Sequence, residues 1–413
     1  MNFKEAIKIL SLIFLAAAIA FSPSFPAGIL SNGKIIEIRI EDILIFILGF
    51  SLLIGFLASG KTVVEKPPLF IPILIWLGIG LLSVLTNWAF ANLSLDRGFF
   101  YFLKECQFFV FYFYVFWCIK KTDTVKLLVN FWLFFAFVNV LYVFYQMISG
   151  LQRGEYGTAA IGEWGVFPTG AFFLLLFIFL FNIFLYYFLQ LNISIIKKIG
   201  LGILTFSPVL GVFGSASKTN FAVLLFAFFL TFSFLFLRKI NLKAVLVFVL
   251  FIVLTIPIFS FALKNVHDVI RVKEIIPVFS LKPLWESYLN SRFNDTIKPL
   301  FQASLEFSAH LPFLGMGKGY VGEAHNQYLR NFIEVGFISS LMFFVLIFAI
   351  IGKSWRGFSK SRDGLAIGLS AGLLTATLAL LFISFATEPF IVVKSSSVYW
   401  FFAGLTMAVL KLK

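Results

Sequence analysis

Charge is what this sequence has least of. Asp, Glu, Lys and Arg make up only 13% of its 413 residues, while 61% are hydrophobic. A soluble domain carries about 25% charged residues, so this chain could not cover a water-facing globule. A mean hydropathy of +1.00 assigns it to a membrane. Cysteine is nearly missing: Cys106 and Cys118 share one apolar run, which excludes a disulfide framework. No haem-attachment or zinc-ligand spacing occurs, so no metal or cofactor is expected. Histidine is limited to three residues, and one of them, His325, stands immediately before a long apolar run.

What is abundant is apolar sequence in stretches long enough to cross a bilayer. A span needs about 20 apolar residues, because the bilayer interior forces the backbone to hydrogen-bond to itself. Twelve such runs are predicted: 8–25, 41–59, 68–87, 99–118, 127–147, 168–189, 200–216, 219–237, 244–263, 326–351, 365–386 and 398–410. The expected fold is an all-α polytopic membrane protein with about 12 transmembrane helices. Residues 1–263 hold spans one to nine, 264–325 form one long loop with amphipathic helices, and 326–413 hold spans ten to twelve. The runs 200–216 and 219–237 are together too long for one crossing and read as two helices joined by a tight turn. The first run has features of a signal peptide, but eleven further spans make a retained helix the expected form.

Basic residues orient the chain, since short cytoplasmic loops retain Lys and Arg. With the N-terminus inside, 18 of the 33 basic residues lie in cytoplasmic segments, and both termini are cytoplasmic. The net charge of +14 is then a topology signal, and no nucleic-acid partner is needed to explain it.

The long loop 264–325 then lies on the opposite face, where function should concentrate. Within it Leu284, Trp285, Tyr288, Leu289, Arg292, Phe293, Ile297, Leu300, Phe301, Ser304 and Leu305 recur at spacings of three and four. That pattern describes an amphipathic helix on the membrane surface or over the bundle, kinked at Pro299. The following Gly315, Gly317 and Gly319 fit neither the dinucleotide nor the P-loop fingerprint. They read as a flexible turn back to the membrane, although glycine amides near Lys318 could meet an anion.

His325 reads either as an interfacial ring beside Tyr328 or as a base. On a helix opening the tenth span it would share a face with Tyr328, Leu329 and Phe332. A neutral imidazole suits taking a proton from a hydroxyl near pH 7. Arg330 and Glu334, four apart, could form an ion pair, and intramembrane charges are seldom idle. Lys104 and Glu105 in the fourth span read as structural support. A transfer reaction outside the cytoplasm needs a substrate that arrives activated, such as a lipid-linked pyrophosphate. Candidate cations for its phosphates are Arg97, Arg153, Lys218, Arg292, Lys318 and Arg330, with arginine favoured for its bidentate fork.

Taken in order, the turn "GSASKT", the long loop with Arg292, the turn "PFLGMGKG" and "HNQYLRNFIEVG" resemble the O-antigen ligase and polymerase superfamily. The resemblance covers about residues 210–350. It implies a GT-C-type glycosyltransferase of the bacterial inner membrane, working on the periplasmic side without a metal. The implied donor is a glycan on undecaprenyl pyrophosphate. The acceptor is a sugar hydroxyl on lipid A–core for a ligase, or another lipid-linked glycan for a polymerase. His325 is the implied base or acceptor-orienting group, and Arg292, Lys218 and Arg153 would bind the donor pyrophosphate. Asn326, Tyr328, Arg330 and Glu334 would support them. Where the family turn reads Ser-Arg, this chain has Ser217-Lys218, which loses the bidentate fork. A transporter of the same lipid would place charges and broken helices near the bilayer midplane; the spans here are mostly charge-free, which favours the enzyme.

Overall fold

The computed structural model describes residues 3–238 apart from 22, 30–34, 59–65, 91–93, 150–157, 162–165 and 216, then 294, 298–299, 302 and 313–412 apart from 322–323. Its helices are α1 (Phe3–Phe21), α2 (Ile40–Ala58), α3 (Phe70–Phe90), α4 (Leu95–Cys118), α5 (Thr122–Ser149), α6 (Val166–Tyr186), α7 (Ile195–Gly214), α8 (Lys218–Leu237), α9 (Gln327–Lys360), α10 (Gly364–Ile383) and α11 (Val393–Lys411). Nine helices among the described residues are long and apolar enough to cross a membrane, and the protein is a mostly helical polytopic membrane protein. A helix covers most of each expected span except 244–263, which lies outside the described residues, as does nearly all of the expected amphipathic helix 284–305.

One element departs from the all-helical expectation. Between α1 and α2 the chain forms an antiparallel pair, β1 (Ser24–Ile29) with β2 (Ile35–Arg39), in which Phe25 faces Ile38. The intervening sequence contains Asn32-Gly33, a strong hairpin signal; a search for 20-residue apolar runs passes over strands this short.

The chain forms two compact units. The first comprises residues 1–125, 285–354 and 380–413. Here α11 packs against α4 so closely that a β-carbon at Gly404 would lie 2.8 Å from the Tyr112 carbonyl oxygen. Trp400 sits edge-on to Phe109 with ring centroids 4.7 Å apart. α11 is buried along almost its whole length, and it starts five residues before the expected span. The extra turn carries Lys394 and Ser395–Ser397, which an apolarity search discards. It holds because the Ser395 and Ser396 hydroxyls donate to the Pro389 carbonyl and Ser397 donates to Val393 one turn back.

The second unit comprises residues 126–284 and 355–379. Its centre is α6, which is apolar all round and buried on every side, as such helices must be. Phe177 and Phe181 of α6 stack at 5.1 Å and pack against Phe206 of α7 and Phe228 of α8. Gly364, Gly368 and Gly372 of α10 bring the backbones together: at Gly368 a β-carbon would lie 2.8 Å from the Ile183 α-carbon. Small residues allow this close approach, the usual basis of helix association in lipid. α7 and α8 are separate helices, as expected. Ser217 caps α8, its hydroxyl accepting from Asn220 N and from Asn220 Nδ2.

Candidate functional site

The site belongs to the first unit and starts from a break in α9. At Gly336 the backbone leaves helical geometry with φ 75° and ψ −174°. A helix bends this way when its i to i−4 bonds are interrupted, and the carbonyls of Ile333 and Glu334 lose their acceptor role within the helix. The glycine turn restores it: Met316 N donates to Ile333 O at 2.7 Å and Gly317 N to Glu334 O at 2.8 Å. Gly315, Gly317 and Gly319 all take positive φ, where only glycine is at ease. The turn is therefore a pinned wedge, and at Met316 and Gly317 its amides are spent on α9 instead of being offered to an anion. That corrects the expectation of a flexible turn.

Two polar residues of α3 complete the seam. The Ser83 hydroxyl lies 2.7 Å from Leu314 O and 3.0 Å from Glu334 O, and Asn87 Nδ2 donates to Gly315 O at 3.0 Å. On the other side Gly319 abuts the Tyr101 ring of α4, and Gly80 of α3 leaves room for the stem of Lys318. Lys318 pairs with Glu105, which also accepts from Trp76 Nε1 at 2.6 Å. Arg97 donates to the Tyr320 carbonyl at 2.8 Å. Lys104 pairs with Asp42. Lys104 and Glu105, both within the apolar helix α4, thus each make an ion pair, as charges on a spanning helix usually do.

The buried centre is Arg330, 3% exposed, between two carboxylates. Its Nη2 lies 3.0 Å from Glu334 Oε1, one turn along α9, and its Nη1 lies 2.8 Å from Glu388 Oε2, beyond the end of α10. The guanidinium also rests 5.6 Å from the centre of the Tyr101 ring, within cation–π range. Both carboxylates reach backward to the segment before α9: Val321 N donates to Glu334 Oε1 at 3.3 Å and Ala324 N to Glu388 Oε1 at 2.5 Å. Buried charges persist only when paired and hydrogen-bonded, and this trio meets that need while fixing the chain just ahead of His325.

His325 is not on the helix. It is half-buried, with φ 50°, one of the few non-glycine conformations that histidine visits more readily than most residues. α9 begins at Gln327, and Asn326 is its cap, with Oδ1 accepting from Leu329 N at 2.9 Å, the usual role of asparagine there. The shared helical face with Tyr328, Leu329 and Phe332 therefore does not orient the ring. The left-handed backbone of His325 sets the direction in which its side chain leaves the chain. Tyr328 donates its hydroxyl to Leu381 O at 2.7 Å and stacks on Phe344.

Of the expected site residues, the structure brings together His325, Asn326, Tyr328, Arg330 and Glu334. Lys218 begins α8 in the other unit, directly after its cap. Arg153 and Arg292 lie outside the described residues. Arg330 and Lys318, counted among the candidate phosphate cations, are committed to carboxylates. Glu388 went unnoticed in the sequence. The signal for it was a carboxylate in the short connection "ATEPF" between two spans, where a charge needs a partner. No family model matches the chain, and no curated protein matches it.

Proposed function

We propose that the protein is an O-antigen ligase, a GT-C-type glycosyltransferase of the bacterial inner membrane with its active site facing the periplasm. It transfers a glycan from undecaprenyl pyrophosphate to a sugar hydroxyl of lipid A–core. One observation carries this reading: "PFLGMGKG" and "HNQYLRNFIEVG", apart in sequence, form a single packed seam through the Met316 and Gly317 amides. His325 opens the second of these segments and is half-buried, and in this reading the bilayer-anchored donor headgroup and the acceptor hydroxyl meet there.

In the proposed reaction His325 accepts the proton of the attacking hydroxyl. The new bond forms at the anomeric carbon as its bond to the pyrophosphate oxygen breaks, with inversion. Since Arg330 and Lys318 are neutralised by Glu334, Glu388 and Glu105, the charge on the departing pyrophosphate falls to Arg292. The buried trio supports the segment that carries the base.

The test is reconstitution in vesicles with an undecaprenyl-pyrophosphate glycan and lipid A–core, for native protein and His325→Ala. Glycan on lipid A–core, lost in the variant, supports the ligase. Longer glycan still on undecaprenyl pyrophosphate would identify a polymerase instead. No transfer by native protein would reopen the transporter, and product with retained configuration would rule out direct displacement.

A further inference from the structure

His325 is a single residue held between two anchored points, and both points are tied to the connection between α10 and α11. After it, Asn326 Nδ2 donates to Phe385 O at 3.2 Å, Gln327 N donates to Ser384 O at 2.9 Å, and Gln327 Oε1 accepts from Phe390 N at 3.3 Å. Before it, the Ala324 amide donates to Glu388 Oε1 at 2.5 Å. Only the last of these depends on an ionised side chain. The same carboxylate binds Arg330 through its other oxygen, so its orientation is fixed from both ends.

The left-handed conformation of His325 makes such anchoring necessary. Such a conformation is unfavourable for an L-residue, and residues in sparsely populated backbone regions persist only where the surroundings over-determine them. Released at Ala324, the segment would relax toward ordinary φ and swing the imidazole away from its place. We propose that Glu388 is a positioning residue, which holds His325 in its reactive orientation through the Ala324 amide; this rests on the reading of His325 as the base of glycan transfer. Both Glu388 oxygens are engaged within the fold, Oε1 by the Ala324 amide and Oε2 by Arg330.

The experiment uses the full chain with His267 and His310 replaced by Gln, so that His325 is the only imidazole. Glu388→Ala and Glu388→Gln are made in that background, and two quantities are measured. One is the rate of carbethoxylation of His325 by diethyl pyrocarbonate, which needs no glycan chemistry. The other is kcat and KM for donor and acceptor in the reconstituted transfer assay.

Loss of the anchor is expected to speed carbethoxylation several-fold in Glu388→Ala and to lower kcat roughly a hundredfold, the scale of a 1 Å misplacement, with both KM values little changed. Glu388→Gln keeps an oxygen that can accept from Ala324 N and should fall between native and Ala. Being isosteric, it keeps the comparison decisive if the alanine variant does not fold. Native carbethoxylation rates in both variants would overturn the proposal, even with kcat reduced, because the ring would then be held without Glu388. If the native single-histidine protein transfers no glycan, the ligase reading fails, while the modification rates still decide whether Glu388 holds His325.

Discussion

Gly315 and Gly336 meet backbone to backbone at the break in α9. A β-carbon on Gly315 would lie 2.5 Å from the Gly336 nitrogen, and one on Gly336 would lie 2.6 Å from the Gly315 nitrogen. Both take positive φ. The contact joins the glycine turn to the helix that follows His325, and it leaves space for no side chain.

Gly315→Ala and Gly336→Ala should therefore destabilise the protein by about 3 kcal/mol or more, combining the positive-φ cost with overpacking. Gly78→Ala is the control, since nothing lies within 4 Å of its β-position and alanine is the better helix former. Thermal unfolding in detergent should give lower midpoints for the first two and a native or higher one for the third. Equal midpoints would show that the turn is not wedged into α9.

Arg330→Met takes away the cation paired with both Glu334 and Glu388, a loss of about 3–5 kcal/mol for a broken buried pair. Combining it with Glu334→Gln and Glu388→Gln removes the uncompensated charge, and part of the stability should return. Denaturant titration of the single and triple variants reads the difference. A triple variant no more stable than Arg330→Met would mean that packing, and not charge, dominates at this position.

Lys318 separates structural from substrate-binding cations. In the transfer assay, Lys318→Met combined with Glu105→Gln should change the donor KM by less than about threefold, because a pair neutralised in the ground state contributes little uniform binding to the phosphates. Arg292→Ala should raise the donor KM well beyond that. If the Lys318 pair has the larger effect, the proposed division of cations is wrong.

His325→Ala should cut transfer by about 10²–10⁴, the usual contribution of a positioned base, with little change in the unfolding midpoint. His325→Val should in addition lower that midpoint, since a branched β-carbon is poorly tolerated at φ 50°. Two equally stable variants would indicate that the left-handed conformation at this position is not maintained.

Long apolar runs made most of the helices legible in the sequence, because crossing a bilayer leaves the backbone no other way to satisfy its hydrogen bonds. The same logic failed where polar residues belong to helices: α11 starts at Val393 and α9 runs on to Lys360, past the ends of their apolar runs. It also missed the β1–β2 hairpin. The Arg330–Glu334 pair was readable because four residues make one helical turn. Its second partner was not, because Glu388 lies 58 positions away.

The sequence by itself determined the medium, most helix positions and which titratable and cationic groups the chain carries, since these follow from local composition and spacing. Only the tertiary structure decided which of those groups are already spent. Lys318 and Arg330 look like phosphate cations in the sequence and are neutralised in the fold by carboxylates distant along the chain. His325 looked like the first residue of a helix and is a left-handed residue ahead of one. Pairing across long sequence separations and departures from regular backbone depend on what the rest of the chain brings alongside, and no local pattern carries that information.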